Sequence, residues 1–180
     1  MKLRIGSAVL GFFSLILSVV VLALGQLAFV QPSLAATKIR VNLSGAAFIC
    51  ANQVATGTCP DAEYDPALGS LQNAQGTWAA NVALPEAAVV SKLELCGNFN
   101  EVGSSITATL YRTALTATSG FPTATAMATI QSTGASDQTQ CFKTETIADA
   151  TINTLGFQYY VVVVVPDNDG VIFTSIGIEY

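Results

Sequence analysis

From Lys38 to the C-terminus the apolar residues tend to recur at every second position, and no stretch carries an apolar stripe of helical period. Such alternation sends successive side chains to opposite faces of an extended chain, so it suits strands with one buried and one wet face. Thr, Val, Ile and Tyr, which pack well on a pleated surface, are abundant throughout. Strands are expected at Lys38–Leu43 and Ala46–Cys50, and then, after a segment rich in turn residues, at Thr77–Leu84, Ala88–Cys96 and Ser105–Arg112. The later set is Ala124–Gln131, Gln138–Ile147, Phe157–Val165 and Val171–Tyr180. Eight or nine antiparallel strands divided by turns predict an all-β, two-sheet β-sandwich, with a jelly roll as the expected arrangement. Val161–Val165 is an unbroken apolar run, which predicts a central strand covered on both faces. Pro166 ends it, and Asp167, Asn168, Asp169 and Gly170 make the following turn.

Ahead of this domain, Lys2 and Arg4 precede an uncharged apolar run from about Ala8 to Val30, followed by Pro32, Ser33, Leu34, Ala35 and Ala36. That order is a secretory signal peptide over residues 1–36, with cleavage expected after Ala35 or Ala36 and one domain over 37–180. An uncleaved membrane anchor is the alternative, because the run is about the 20 residues a bilayer span needs. The expected location is secreted or extracytoplasmic, in a periplasm or on a cell surface, or else N-terminally membrane-anchored. About 144 residues are enough to bury a core. They carry five basic residues against twelve acidic ones, a net charge of −7 with no basic cluster, which argues against nucleic acid as a partner. The chain has no histidine, so Ser-His and Cys-His catalysis, the common catalytic zinc sets and an imidazole pH switch are excluded.

Cys50, Cys59, Cys96 and Cys141 are expected to form two disulfides in an oxidising compartment. Cys50 and Cys59 flank a short Asn/Gly/Thr segment that suits a local bridge, which leaves Cys96 for Cys141. The flanking residues support that pair. Setting Cys96 opposite Cys141 in antiparallel strands places Glu94 opposite Lys143 and Lys92 opposite Glu145, while Leu95 meets Phe142 and Leu93 meets Thr144 on the other face. No C-x-x-C spacing favours a metal site.

Leu84-Pro85-Glu86-Ala87, Ser105–Arg112, Ile147-Ala148-Asp149-Ala150 and the Tyr159-Tyr160 strand leading to Gly177-Ile178-Glu179-Tyr180 give the C-terminal part a particular texture. Over roughly residues 77–180 the chain resembles a group of uncharacterised secreted bacterial β-sandwich domains with no assigned activity. The resemblance implies the fold and carries over no functional residue.

Candidate sites come from residue chemistry alone. Alternating strand direction puts the connections 97–104, 132–137 and 166–170 at one end, which gathers Asn98, Asn100, Glu101, Asp137, Asp167 and Asp169 without Lys or Arg. Oxygen ligands of that kind suit Ca²⁺, although Asn and Asp are also ordinary turn residues. Asp61, Glu63 and Asp65, and the pair Glu94 and Glu145, are the carboxylate sets that glycoside hydrolysis would require. The first reads as a solvated loop and the second as lysine-paired, so no catalytic residue is assigned. Trp78, Phe99 and Phe121 are aromatics that could form a sugar platform; Trp78 reads as core, and Tyr159 and Tyr160 must point to opposite faces. The Ala/Thr-biased segment 113–136 reads as strand and loop, and the sequon Asn42-Leu43-Ser44 lies in a strand. The resulting expectation is a non-catalytic secreted domain, without a required cofactor, acting through its surface as an envelope or matrix component or binding module. A carbohydrate-binding domain comes second and a glycoside-active enzyme third. Its expected partners are glycan or other envelope and matrix proteins, and membrane only if the N-terminal segment stays uncleaved.

Overall fold

Alternation in the sequence becomes eleven strands among the described residues: β1 (Arg40–Ser44), β2 (Ile49–Cys50), β3 (Glu63–Asp65), β4 (Ser70–Gln72), β5 (Gly76–Asn81), β6 (Lys92–Phe99), β7 (Thr107–Ala114), β8 (Ala124–Gln131), β9 (Ser136–Thr144), β10 (Phe157–Val165) and β11 (Val171–Glu179). They are seen in a computed structural model that describes residues 37–51, 62–67, 69–72, 75–99, 105–116, 122–133, 136–166 and 171–180, with backbone alone at 136 and 137. The expected signal peptide and its cleavage site lie outside those residues. The chain divides into a unit of residues 1–37 and a unit Lys38–Tyr180, and every strand belongs to the second. Among the described residues no helix is long and apolar enough to cross a membrane.

One sheet runs β3-β4-β11-β6-β9, with β1 also on β11; the other runs β2-β5-β10-β7-β8. All pairings are antiparallel, and they nest: β4 with β11, β5 with β10, β6 with β9 and β7 with β8. Pairing of β6 with β11 and β7 with β10 joins the nested hairpins into two sheets, the order of a jelly roll. β1 and β4 share one edge of β11, β4 opposite Ile172 and Phe173 and β1 opposite Ser175 to Glu179, on either side of a bulge.

The structure has two more strands than the sequence pattern suggests, β3 and β4. Each is three residues long, too short for alternation to register, and pairing onto β11 rather than local preference makes them strands. A single 3₁₀ turn, Gly45–Ala47, packs on β4 so closely that a Cβ at Gly45 would lie 2.7 Å from the Leu71 nitrogen. The expected strand at Ala88–Cys96 shifts to Lys92–Phe99. The preceding residues instead clasp the 145–156 connection, with Val90 N–H donating to Ala150, Ile152 N–H to Ala88, and Val89 bridging Thr151.

Inward-facing residues of both sheets form one core: Leu93 and Leu95 of β6, Ile176 and Ile178 of β11, Ala108 and Leu110 of β7, and Val161, Val163 and Val165 of β10. Burying each Leu, Ile or Val stabilises the fold by about 1.5–3 kcal/mol. Trp78 is buried opposite Val163, as its core reading predicts. Phe99 is not in a loop: it ends β6 with no exposed surface, its ring tilted 59° against that of Phe142 at 5.5 Å, and is no platform for a ligand. Phe121 lies outside the described residues. The valine run is central, between β5 and β7, but it is covered on one face only. Val161, Val163 and Val165 are buried, whereas Val162 is half-buried and Val164 keeps 44% of its surface, because among the described residues no further layer packs on that side.

Candidate functional site

The outer face of the six-stranded sheet is built from ion pairs and a disulfide. The Cys96–Cys141 bond is present, and the β6–β9 register matches Glu94 with Lys143 and Leu95 with Phe142, as the sequence predicts. Cys50 is also disulfide-bonded, while Cys59, its expected partner, lies outside the described residues. The ion pairs inferred from that register do not form. β9 ends at Thr144, so Glu145 is not opposite Lys92, and Lys92 faces Glu179 on β11 instead, at 2.5 Å. Glu179 also holds Lys38 at 2.7 Å. Hydrogen bonds from Lys38 and then Lys92 push the Glu179 carboxyl down to about 2. Glu94 pairs with Arg40, whose guanidinium reaches from β1 across Gly177 of β11. A Cβ at Gly177 would lie 2.5 Å from Arg40 Nη2, so the missing side chain is what opens the path. Lys143 is left with Glu145 at 3.8 Å. The oxygen and sulfur atoms of Glu94, Cys96 and Cys141 lie within 4.8 Å of one another, but both sulfurs are committed to the disulfide and cannot ligate a metal.

The carboxylates considered for catalysis are absorbed in the same way. Asp65 lies on an edge strand rather than in a solvated loop, and its carboxylate accepts from Ala67 N–H at 2.8 Å and Gln72 Nε2 at 3.0 Å. Glu63 is exposed on that strand, and Asp61 is outside the described residues. Glu94 and Glu145 hold separate cations. Of the candidate Ca²⁺ residues, Asn98 sits within β6 opposite Ile172 and Thr139, and Asp137 falls within β9. Asn100, Glu101, Asp167 and Asp169 lie outside the described residues. The strand ends bounding these connections do come together, Phe99 opposite both Ser136 and Val171. Asn42 of the sequon is exposed on β1 and accepts from Arg40 Nε at 2.6 Å.

At the opposite end, Glu86, Arg112 and Asp149 make contacts within the domain. Thr154 donates its hydroxyl and its N–H to Glu86 at 2.6 and 2.5 Å, which holds that carboxyl below the usual carboxylate range. Arg112 reaches Asp149 at 2.5 Å and lies 4.6 Å above the Phe157 ring.

The outer face of the five-stranded sheet is of another kind. Strand alternation turns Thr77, Ala79 and Asn81 of β5, Gln158, Tyr160, Val162 and Val164 of β10, Thr107, Thr109 and Tyr111 of β7, and Thr129 and Gln131 of β8 to that side. None of these is charged. Arg112, the charged residue on these strands, has the inward parity of Leu110 and works at the sandwich end. Tyr111 and Tyr160 are direct cross-strand partners with stacked rings, 5.5 Å apart and 17° from parallel. Thr113 Oγ1 lies 3.4 Å from the Tyr160 hydroxyl, and Thr109 shares a 3.2 Å hydroxyl contact with Thr129. Beside Tyr160 opens a hollow of about 290 Å³, lined by Ala47, Ile49, Ala79, Ala80 and Asn81 as well as the tyrosine. Ile49, opposite Ala79 on edge strand β2, is 72% exposed. The sequence placed Tyr160 on one face but gave no cue for Tyr111, because β7 and β10 are far apart in the chain and their register follows from the topology.

No protein-family profile and no curated protein matches the chain. Among solved structures there is a likeness, with a TM-score of 0.33 and 12% identity, to one described as the structure of infectious bursal disease virus Gx strain; it covers 79% of this chain and 32% of that chain. A likeness at that level carries no argument about role.

Proposed function

We propose that the protein is an exported, non-catalytic binding module of the cell envelope or extracellular matrix, and that it works through the outer face of its five-stranded sheet. The carrying observation is the separation of charge: the six-stranded sheet holds its cations and carboxylates in mutual pairs, while the other face presents tyrosine, valine, alanine, threonine and amide groups with no charge. An exposed face of this chemistry, with a half-covered valine strand at its centre, marks a surface meant for contact. Cross-strand disulfide bonding and the apolar N-terminal run support export, and the resemblance to secreted bacterial β-sandwich domains supports the envelope setting. Co-sedimentation of the domain 37–180 with insoluble envelope or matrix material of the producing cell tests the reading. Wild type and Lys143→Glu should be retained equally, and Val164→Lys should be released. Equal retention of Val164→Lys, or release of Lys143→Glu, contradicts it.

A further inference from the structure

Building on that reading of the uncharged face, we propose that the hollow beside Tyr160 is a binding site for one pyranose ring of an uncharged glycan. Its shape follows from three adjacent strands. Ala79 on β5 is small and lies in register between Ile49 on β2 and Val162 on β10, and Tyr160, opposite Asn81, stands diagonally beside it, so the sheet carries a trough walled by Ile49 and the tyrosine. Tyr160 is held upright by Tyr111 stacked on one ring face, and the same tyrosine lines the hollow. A wall already fixed by its neighbour loses little rotamer freedom when a ligand settles against it. The apolar C–H face of a pyranose is matched to such a ring.

Polar groups at the rim supply the second half of the match. Gln158 Nε2 donates to Asn81 Oδ1 at 3.1 Å, which orients both amides. Asn81 lines the hollow and Gln158 is its hydrogen-bonded neighbour on the same face, so a donor, Asn81 Nδ2, stands at the edge of the trough and an acceptor, Gln158 Oε1, beside it. Sugar hydroxyls serve both, since each is donor and acceptor at once. The face offers no counter-charge to a uronate, sulfate or phosphate group, which selects a neutral ligand. A volume of about 290 Å³ is at the lower end of ligand sites, which run from about 300 to about 1,000 Å³, and admits a single ring rather than a buried oligosaccharide.

Calorimetric titration with uncharged gluco-, manno- and galacto-hexasaccharides, and with a hexagalacturonate as the charged control, tests the proposal. At least one uncharged series should bind saturably. Tyr160→Ala should weaken it at least tenfold and Asn81→Ala several-fold, Tyr160→Phe, which keeps the ring, should bind more tightly than Tyr160→Ala, and Lys143→Glu should bind as wild type; melting curves confirm that each variant is folded. Binding that survives Tyr160→Ala, or preference for the galacturonate, overturns the site. If no uncharged saccharide binds while Val164→Lys still abolishes envelope retention, the glycan proposal fails and the working face stands. If saccharide binds as described but retention ignores Val164→Lys, the hollow stands and the face fails as the envelope contact.

Discussion

On the outer face of the six-stranded sheet Lys38 and Lys92 both bind Glu179, Arg40 binds Glu94 across a glycine, and a disulfide ties β6 to β9. On the outer face of the five-stranded sheet Tyr160, Val162 and Val164 meet solvent among threonines and amides. Both faces grow from the same alternation and both lie opposite one core, so packing does not explain the contrast. A face whose charges are already paired has little left to offer a ligand, and its charged side chains discourage association with other sheets. The opposite face has the reverse properties. Its residues make neutral contacts with one another and leave apolar surface uncovered. On the proposed reading, one side serves stability and the other recognition.

The largest effect should come from opening the tied face. The Cys96–Cys141 bond closes a 45-residue separation, for which chain entropy gives about 4 kcal/mol. The double variant Cys96→Ala/Cys141→Ala should lose about 2–4 kcal/mol in urea unfolding. Retention on envelope material should persist wherever the domain remains folded. A loss below about 1 kcal/mol would remove the disulfide from the account of that face.

Next in size is Gly177→Ala, which puts a methyl group where the Arg40 guanidinium crosses. It should cost about 1 kcal/mol, and the cost should shrink in an Arg40→Ala background because the two act through one contact. Full additivity in that double-mutant cycle would show that Gly177 matters for another reason.

Acid should weaken the paired face through Glu179. Its carboxyl is depressed from 4.5 to about 2, so its contribution is complete above about pH 4.5 and is lost as the pH falls through about 2. Glu86, lowered by Thr154, adds to the same trend. Melting temperature followed from pH 6 to pH 2 should fall, and Glu179→Gln should flatten the curve. An unchanged slope in Glu179→Gln would shift the acid response to other carboxylates.

The smallest effect on stability belongs to the uncharged face. Val164 is 44% exposed, so Val164→Lys should change unfolding free energy by no more than about 0.5 kcal/mol. Calorimetry of wild type and variant checks this. A large loss would mean that the valine serves the fold.

These contrasts also mark what the sequence discloses. Cys96 opposite Cys141 was legible because β6 and β9 alternate strongly around both cysteines, and the fold class followed from alternation along the whole domain. Ion-pair partners were not legible. Glu94 chose Arg40 over Lys143 because β1 lies beyond Gly177 on the same side of the sheet, a neighbour relation that no local pattern records. Phe99 read as a loop residue because Asn and Gly surround it, yet pairing with Val171 carries β6 through it into the core. The valine run looked buried on both sides because an apolar run does not reveal whether a second layer exists. That misreading falls on the uncharged face, where local sequence rules and burial disagree. Tyr111 and Tyr160 meet only once the nested pairing is known.

Backbone and methyl NMR of the isotope-labelled domain 37–180, recorded with and without sub-stoichiometric envelope or matrix material, tests most directly whether recognition and stability occupy opposite faces. The account predicts line broadening at Ala79, Thr109, Tyr111, Tyr160 and Val162, with Lys92, Glu94, Lys143 and Glu179 unaffected. Broadening centred on that second group, with the tyrosines unchanged, would contradict it.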